Sequence, residues 1–208
     1  YLMVSTGQVY LVREGCPRPA REEDYDGPLT ARPSDPPDVI EWEYGVGKRA
    51  CEDALAAAHA KDGFPATRIR IPMVNGERDY LRRIEGYLWR LLDRGPVHLP
   101  DGGTHRVRHV YGGEVARFLG DVLGRPATFG RAYNLAQDET PTLAELSGRL
   151  RHLVGSRAEI VPVPSARLLA AGLDPVKVSP FSGRWMSFLD PGRAHRELGF
   201  RHEPLEIY

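Results

Sequence analysis

Short apolar, β-branched runs alternate along this chain with segments of helical period, and that alternation constrains the fold more than any other feature. Tyr1–Ser5, ATRIRIP, VHL, RVRHVY, RAYNLA and AEIVPVP have the length and residue types of strands. Between them, Tyr44–Lys61 is helical around the alanine-rich CEDALAAAHA. In RDYLRRIEGYLWRLLDRG, Tyr80, Leu81, Ile84, Tyr87, Leu88, Leu91 and Leu92 trace one apolar face, which Gly95 and Pro96 close. Gly113–Leu123 and Thr142–Val154 are further helices, the second opened by Thr140-Pro141 and stopped by Gly155. SARLLAAG makes a short helix, and Pro191–Leu198 a last one ended by Gly199. Strands that alternate with helices in this way build an α/β fold with a largely parallel sheet. No internal repeat interrupts the pattern.

A chain of 208 residues, 41% hydrophobic and 27% charged, is long enough to bury a substantial core. Its 28 basic residues balance 28 acidic ones, which gives no global electrostatic case for a nucleic-acid or membrane partner. Arg mixed with aromatics in LRRIEGYLWRLLDRG and RHVYGGE fits core packing with a solvated face better than RNA contact. Cys16 and Cys51 form neither a disulfide framework nor a metal pattern, and a cytoplasmic location follows as the expectation. His105 and His109 flank an expected strand, and without HExxH or CxxC no metal site is predicted. No apolar run reaches the ~18 residues of a membrane span. The chain opens on YLMVSTGQVY, without a charged leader, and stops at PLEIY, so both ends read as cuts within a longer chain. Residues 13–41 hold six prolines and many charges and are expected to be irregular, as a solvated excursion or a substrate-facing loop.

The residues that suggest chemistry are Ser5-Thr6, at the end of the first strand, and Tyr44-x-x-x-Lys48. A hydroxyl at the end of a parallel strand lies at the edge where open α/β sheets place their ligands. Residues four apart share a helix face. A phenol is too weak an acid to exchange protons near neutrality, and a neighbouring ammonium stabilises its phenolate. A hydroxyl can then hold the substrate oxygen while the phenol gives or takes a proton. Spacing alone is equally met by a solvated helix face. Gly45 and Gly47 fall in what reads as the first turn of this helix, where each costs about 1 kcal/mol relative to Ala. Lacking a Cβ, they would let another backbone or a cofactor come close to Tyr44.

Six segments, STGQVY, YGVGKRACE, RIRIPMVNGERD, RVRHVYGGEVA, YNLAQDETPTLAELSGRL and DPGRAHRELGF, follow one another in an order that resembles the extended short-chain dehydrogenase/reductases. These are the NAD-dependent epimerase/dehydratase proteins, which act mostly on sugar nucleotides. The resemblance implies a catalytic trio of Thr6, Tyr44 and Lys48, with Thr6 orienting the substrate oxygen, Tyr44 as acid/base and Lys48 binding the nicotinamide ribose. By the same resemblance Ser5, Tyr44, Lys48, Pro72, Met73 and Val74 are candidate contacts for NAD or NADP. Asn75 stands at a turn where many relatives carry Tyr-Gly. With Thr6, Arg78 and Arg184 it makes up the candidate substrate set, the arginines suiting a pyrophosphate. Glu114, where relatives usually have Asp, reads as an acid favoured by a helix N-terminus.

Two departures qualify the resemblance. The phosphate-cradling GxxGxxG of the family is absent, and the likeness starts roughly at the family's fifth strand. The expectation is a missing preceding segment and weak dinucleotide binding by this chain alone. Dehydratases of the family carry Asp-Glu directly after the hydroxyl residue, whereas here Gly7-Gln8 follows, which cannot supply acid and base for eliminating water. The reading is therefore a partial Rossmann-like, doubly wound parallel sheet with a smaller α/β substrate-binding lobe. Residues 1–72 would belong to the nucleotide-binding part and 73–208 mainly to the lobe, with 106–123 returning to the sheet. The expected function is an NAD(P)-dependent epimerase or carbonyl reductase acting on a nucleotide sugar or a related small molecule. The expected partners are that small molecule and, as an allowed assembly, a second copy in a homodimer. The alternative is a non-catalytic relative that binds a nucleotide, RNA or a protein through the same fold.

Overall fold

A computed structural model describes residues 1–205. The last three residues of the PLEIY end lie outside the described part. In chain order the elements begin with β1 (Leu2–Thr6), α1 (Gln8–Leu11), α2 (Pro36–Asp62), β2 (Thr67–Ile71) and β3 (Val74–Asn75). They continue with α3 (Arg83–Leu92), β4 (Val97–Pro100), β5 (Val110–Tyr111), α4 (Gly112–Val122) and β6 (Ala132–Asn134). The remainder is α5 (Leu143–Leu153), β7 (Ile160–Val163), α6 (Ser165–Ala170), α7 (Pro175–Val178) and α8 (Gly192–Leu198). Among the described residues these strands pair in parallel: β1-β2-β6 form one sheet, β3-β5 a second and β4-β7 a third. The fold class expected from the alternating pattern is present, with the parallel pairing divided among three small sheets.

By its internal contacts the chain forms two compact units. One comprises Tyr1–Gly76, Arg108–Asp138 and the chain from Ser187; the other comprises Glu77–Val107 and Glu139–Met186. In the first, Ile69 of the central strand β2 is fully buried. It packs with Val115, Phe118 and Val122 of α4, Tyr133 of β6, and Ala194 and Phe200 at the last helix. The i, i+3, i+7 spacing of Val115, Phe118 and Val122 places all three on the inward stripe of α4. A smaller cluster of Val9, Tyr10, Ala20, Tyr25, Ala136 and Leu189 lies under the α1 region. In the second unit Tyr87 and Leu91 form the buried face of α3, and Tyr87 stacks on Phe181 at 5.4 Å.

Several helix boundaries differ from the sequence pattern for identifiable reasons. α2 begins at Pro36, eight residues before Tyr44 (36 against 44), so the proline-rich stretch does not remain irregular up to residue 41. Pro36 and Pro37 occupy its first positions, where the missing N–H has no intrahelical partner to lose and φ is already helical. Gly45 and Gly47 are therefore well inside the helix, and Gly63, with φ +68°, closes it. α3 starts later than its apolar pattern suggests, leaving Tyr80 88% exposed. The Asp79 carboxylate accepts from the Leu81 and Arg83 amides, and Arg82 adopts a left-handed φ of +49°, so the helix nucleates after them. RVRHVY pairs as a ladder only over β5. α5 starts as its sequence suggests: Thr142 caps it and Glu145 returns the bond in a capping box. Among the described residues no helix is long and apolar enough to cross a membrane, α2 being long but charged throughout.

Candidate functional site

β1 delivers Ser5 and Thr6 at its carboxyl end, and the chain turns at once into α1. The Thr6 hydroxyl oxygen accepts from the Gln8 amide at 3.2 Å, which leaves the hydroxyl proton available for another acceptor. Gly7 donates to the Ile71 carbonyl at 2.8 Å, tying the turn to β2. A Cβ on Gly7 would collide with the Ser187 side chain, so residue 7 has no room for a larger residue unless Ser187 moves.

α2 lies against this turn at successive positions. The Gln8 side-chain amide donates to the Glu41 carboxylate. A Cβ on Gly45 would stand 3.0 Å from the Gln8 carbonyl and 2.7 Å from Val12, so α1 and α2 approach closely at Gly45. Lys48 donates from Nζ to the Val4 carbonyl at 2.8 Å, using one of its three N–H donors. Tyr44 falls between these contacts, on the face it shares with Lys48, and is 49% exposed. Thr6 and Lys48 thus meet at one junction of β1, α1 and α2, and Tyr44 lies one helical turn before Lys48 on α2. Gly47 differs from Gly45: a Cβ there would meet nothing within 4 Å.

The remaining residues singled out from the sequence are placed as follows. Ser5 is 3% exposed and donates its hydroxyl to Glu52 at 2.5 Å, so its side chain faces the interior rather than solvent. Pro72 is buried after β2, while Met73 and Val74 are half-buried; the Met73 carbonyl accepts from Val110. Asn75 is buried and lies 2.8 Å from His109 Nδ1 through its side-chain nitrogen, while its Oδ1 has no partner among the described residues. Arg78 and Arg184 are exposed residues of the second unit; Arg78 has a φ of +70°, and Arg184 lies over the Trp185 ring. Glu114 is in the first turn of α4 and pairs with Arg117. Among the described residues no group of three or more His, Cys, Asp or Glu side chains is placed to hold a metal ion.

A buried polar network beside the junction was not anticipated from the sequence. Arg70, 2% exposed in the middle of the sheet, forms a bidentate pair with fully buried Glu52, the shortest contact being 2.6 Å. Arg70 Nη1 also donates to the Tyr10 hydroxyl at 2.6 Å, and that hydroxyl donates to Asn134 at 2.9 Å. Burial pushes the Tyr10 phenol well above its usual range, so it stays neutral and can both accept and donate. Glu22 accepts from the Asn134 amide, and burial raises its carboxyl too. Arg49 donates to the carbonyls of Val9 and Tyr25 while its guanidinium stacks on the Tyr25 ring at 3.9 Å. The inward face of α2 is thus Gly45, Arg49 and Glu52 at helical spacing. The sequence signal that points to it is Glu52, one turn beyond Lys48, with arginine in a strand otherwise suited to burial.

A family model described as "NAD dependent epimerase/dehydratase family" matches residues 2–136. No curated protein matches the chain. Among solved structures it is similar to a dTDP-glucose 4,6-dehydratase from Streptomyces venezuelae with NAD bound, at 21% identity and a TM-score of 0.64. That match covers 98% of this chain and 55% of the other. A UDP-glucose 4-epimerase from Thermotoga maritima with UDP-glucose is similar at 19% identity and a TM-score of 0.67, over 97% of this chain and 58% of that one. A UDP-glucuronic acid 4-epimerase from Bacillus cereus in complex with NAD gives 18% and 0.67, over 98% and 56%. The chain therefore spans a little over half the length of the structures it matches.

Proposed function

The chain belongs to the NAD dependent epimerase/dehydratase family, and we propose on that premise that its β1–α1–α2 junction is the proton-transfer part of a nicotinamide-dependent site. The reaction is reversible oxidation of a carbinol carbon, in an epimerase or carbonyl reductase that acts on a nucleotide sugar or related small molecule. NAD(P), when bound, supplies the hydride chemistry. Two features fit the nicotinamide-ribose half of such a cofactor: the open space at Gly47 and the half-exposed Tyr44 on the adjoining turn. Lys48, Tyr44 and the segment Pro72, Met73 and Val74 would hold it. No GxxGxxG phosphate cradle occurs in the sequence.

This chain's own residues then have defined tasks. Thr6, whose oxygen already accepts from the Gln8 amide, donates its proton to the substrate oxygen and so orients it. Tyr44 takes the hydroxyl proton as the carbinol is oxidised and returns it in the reverse direction. Lys48, anchored on the Val4 carbonyl, sets a positive charge on the Tyr44 face of the helix.

The observation that carries the choice of epimerase or reductase over dehydratase is the turn after Thr6. Eliminating water needs an acid and a base, which the family's dehydratases carry at the two positions after the hydroxyl residue, here residues 7 and 8. Residue 7 is a glycine whose Cβ position is filled by Ser187, and residue 8 is an amide bound to Glu41. The nucleotide-sugar assignment draws support from relatives of the same fold, among them the epimerase solved with UDP-glucose. The test is Tyr44→Phe in the whole protein, with turnover and NADH or NADPH fluorescence titrations measured together. Turnover is expected to fall to background with cofactor affinity nearly intact; full activity in the variant would sink the assignment. Failure of the wild type to bind either nucleotide would favour the non-catalytic alternative.

A further inference from the structure

Two successive turns of α2 grip two successive residues of β1. Lys48 binds the Val4 carbonyl, and Glu52, four residues on, accepts the Ser5 hydroxyl. Thr6 is the next residue of the strand. Sliding α2 by a single residue would move it about 1.5 Å and break both contacts. Glu52 cannot swing to follow, because Arg70 holds both its oxygens, with Nε at 3.1 and 3.0 Å and Nη2 at 2.6 Å. Arg70 is fixed in turn by the Tyr10 hydroxyl of α1 and by the Tyr25 ring, 4.2 Å from its guanidinium carbon. Ser5, Tyr10, Glu52 and Arg70 are all at least nine-tenths buried.

A buried ion pair is a poor source of net stability, since desolvation consumes most of the Coulombic gain. What such a pair does supply is directional constraint, and here it acts on β1, α1 and α2, the elements that carry Thr6, Tyr44 and Lys48. We propose that Ser5, Glu52 and Arg70 are positioning residues: they hold Tyr44 and Lys48 in register with Thr6, and Ser5 contacts no cofactor. The proposal rests on the proton-transfer reading above. It changes the role that family resemblance gives to Ser5, from cofactor contact to anchor of the strand end.

Ser5→Ala in the whole protein tests this, because it deletes one oxygen and leaves the Glu52–Arg70 pair intact. A misplacement on the order of 1 Å is sufficient for a loss of about a hundredfold in rate. The expected result is a fall in kcat of about tenfold or more, with the KM values for cofactor and substrate within about twofold of wild type. A cofactor contact would behave in the opposite way, raising the cofactor KM while sparing kcat. Amide hydrogen exchange of Gln8 is the second readout, since that amide donates to the Thr6 hydroxyl oxygen and reports its placement without substrate or cofactor. Its exchange is expected to speed up about tenfold or more in Ser5→Ala. An unchanged kcat, a raised cofactor KM, or unchanged Gln8 protection would each overturn the proposal. Because the exchange measurement needs no turnover, its outcome stands apart from that of Tyr44→Phe, which decides the reaction itself.

Discussion

Gly45→Ala and Gly47→Ala are the same change two residues apart in one helix, and the structure predicts opposite signs for them. In an exposed helix interior, replacing Gly by Ala gains about 1 kcal/mol, because alanine has less backbone entropy to lose. At Gly47 nothing lies within 4 Å of the new methyl, so that gain is realised in full. At Gly45 the methyl would meet the Val12 side chain at 2.7 Å and the Gln8 carbonyl at 3.0 Å. Val12 is fully buried and the carbonyl belongs to the backbone of α1, so neither yields easily. Overpacking of this kind costs about 1–3 kcal/mol, which cancels or exceeds the propensity gain. The two variants should therefore differ by about 1–3 kcal/mol, with Gly47→Ala the more stable. For a chain of this length that corresponds to roughly 2–12 °C in Tm. Thermal unfolding followed by circular dichroism on wild type and both variants measures the difference directly. If Gly45→Ala proves as stable as Gly47→Ala, the close approach of α1 and α2 at residue 45 is wrong, and with it the placement of Tyr44 at the junction.

Two further perturbations test the surroundings of the site. Gly7→Ala should cost about 1–3 kcal/mol through its collision with Ser187, and Ser187→Gly should recover much of the loss, a coupling of about 1 kcal/mol or more in a double-mutant cycle; additive effects would show that Ser187 does not close the residue 7 position. The Tyr133 phenol is pushed up to about 12, first by burial and then by its hydrogen bond to Glu197. Its folded-state pKa thus lies above the ordinary tyrosine value of ~10, so the folded state keeps a proton that the unfolded chain releases, and stability is lost as pH rises from there to about 12. Tyr133→Phe should flatten that decline in urea titrations taken at stepped alkaline pH, and an unchanged slope would refute the assignment.

Much of the fold is legible along the chain because its signals are local. The β-branched runs, the Thr140-Pro141 helix start and the terminating glycines each act through neighbours a few residues away, and they mark the strands, α5 and the helix ends. Tyr44 and Lys48 are readable as a pair for the same reason, since four residues always share a helix face. The start of α2 was obscured because prolines signal both irregular chain and a helix's first turn, and only the residues that follow decide between them. The segment from Tyr80 to Arg82 carries an apolar helical pattern, yet Asp79 captures its amides and delays α3.

What the sequence determined by itself was the parallel α/β class, the family and the existence of a Tyr–Lys helix near a strand ending in Ser-Thr. Tertiary structure alone decided which side chains that helix turns inward: Arg49 and Glu52, polar groups that any periodicity argument would leave in water. They are buried because Arg70, the Ser5 hydroxyl and the Val9 and Tyr25 carbonyls, distant in sequence, converge to satisfy their charge and hydrogen bonds. The two glycines are separated by the same physics. Local propensity treats them alike, but only at Gly45 does another backbone approach so closely that a single methyl group has no room.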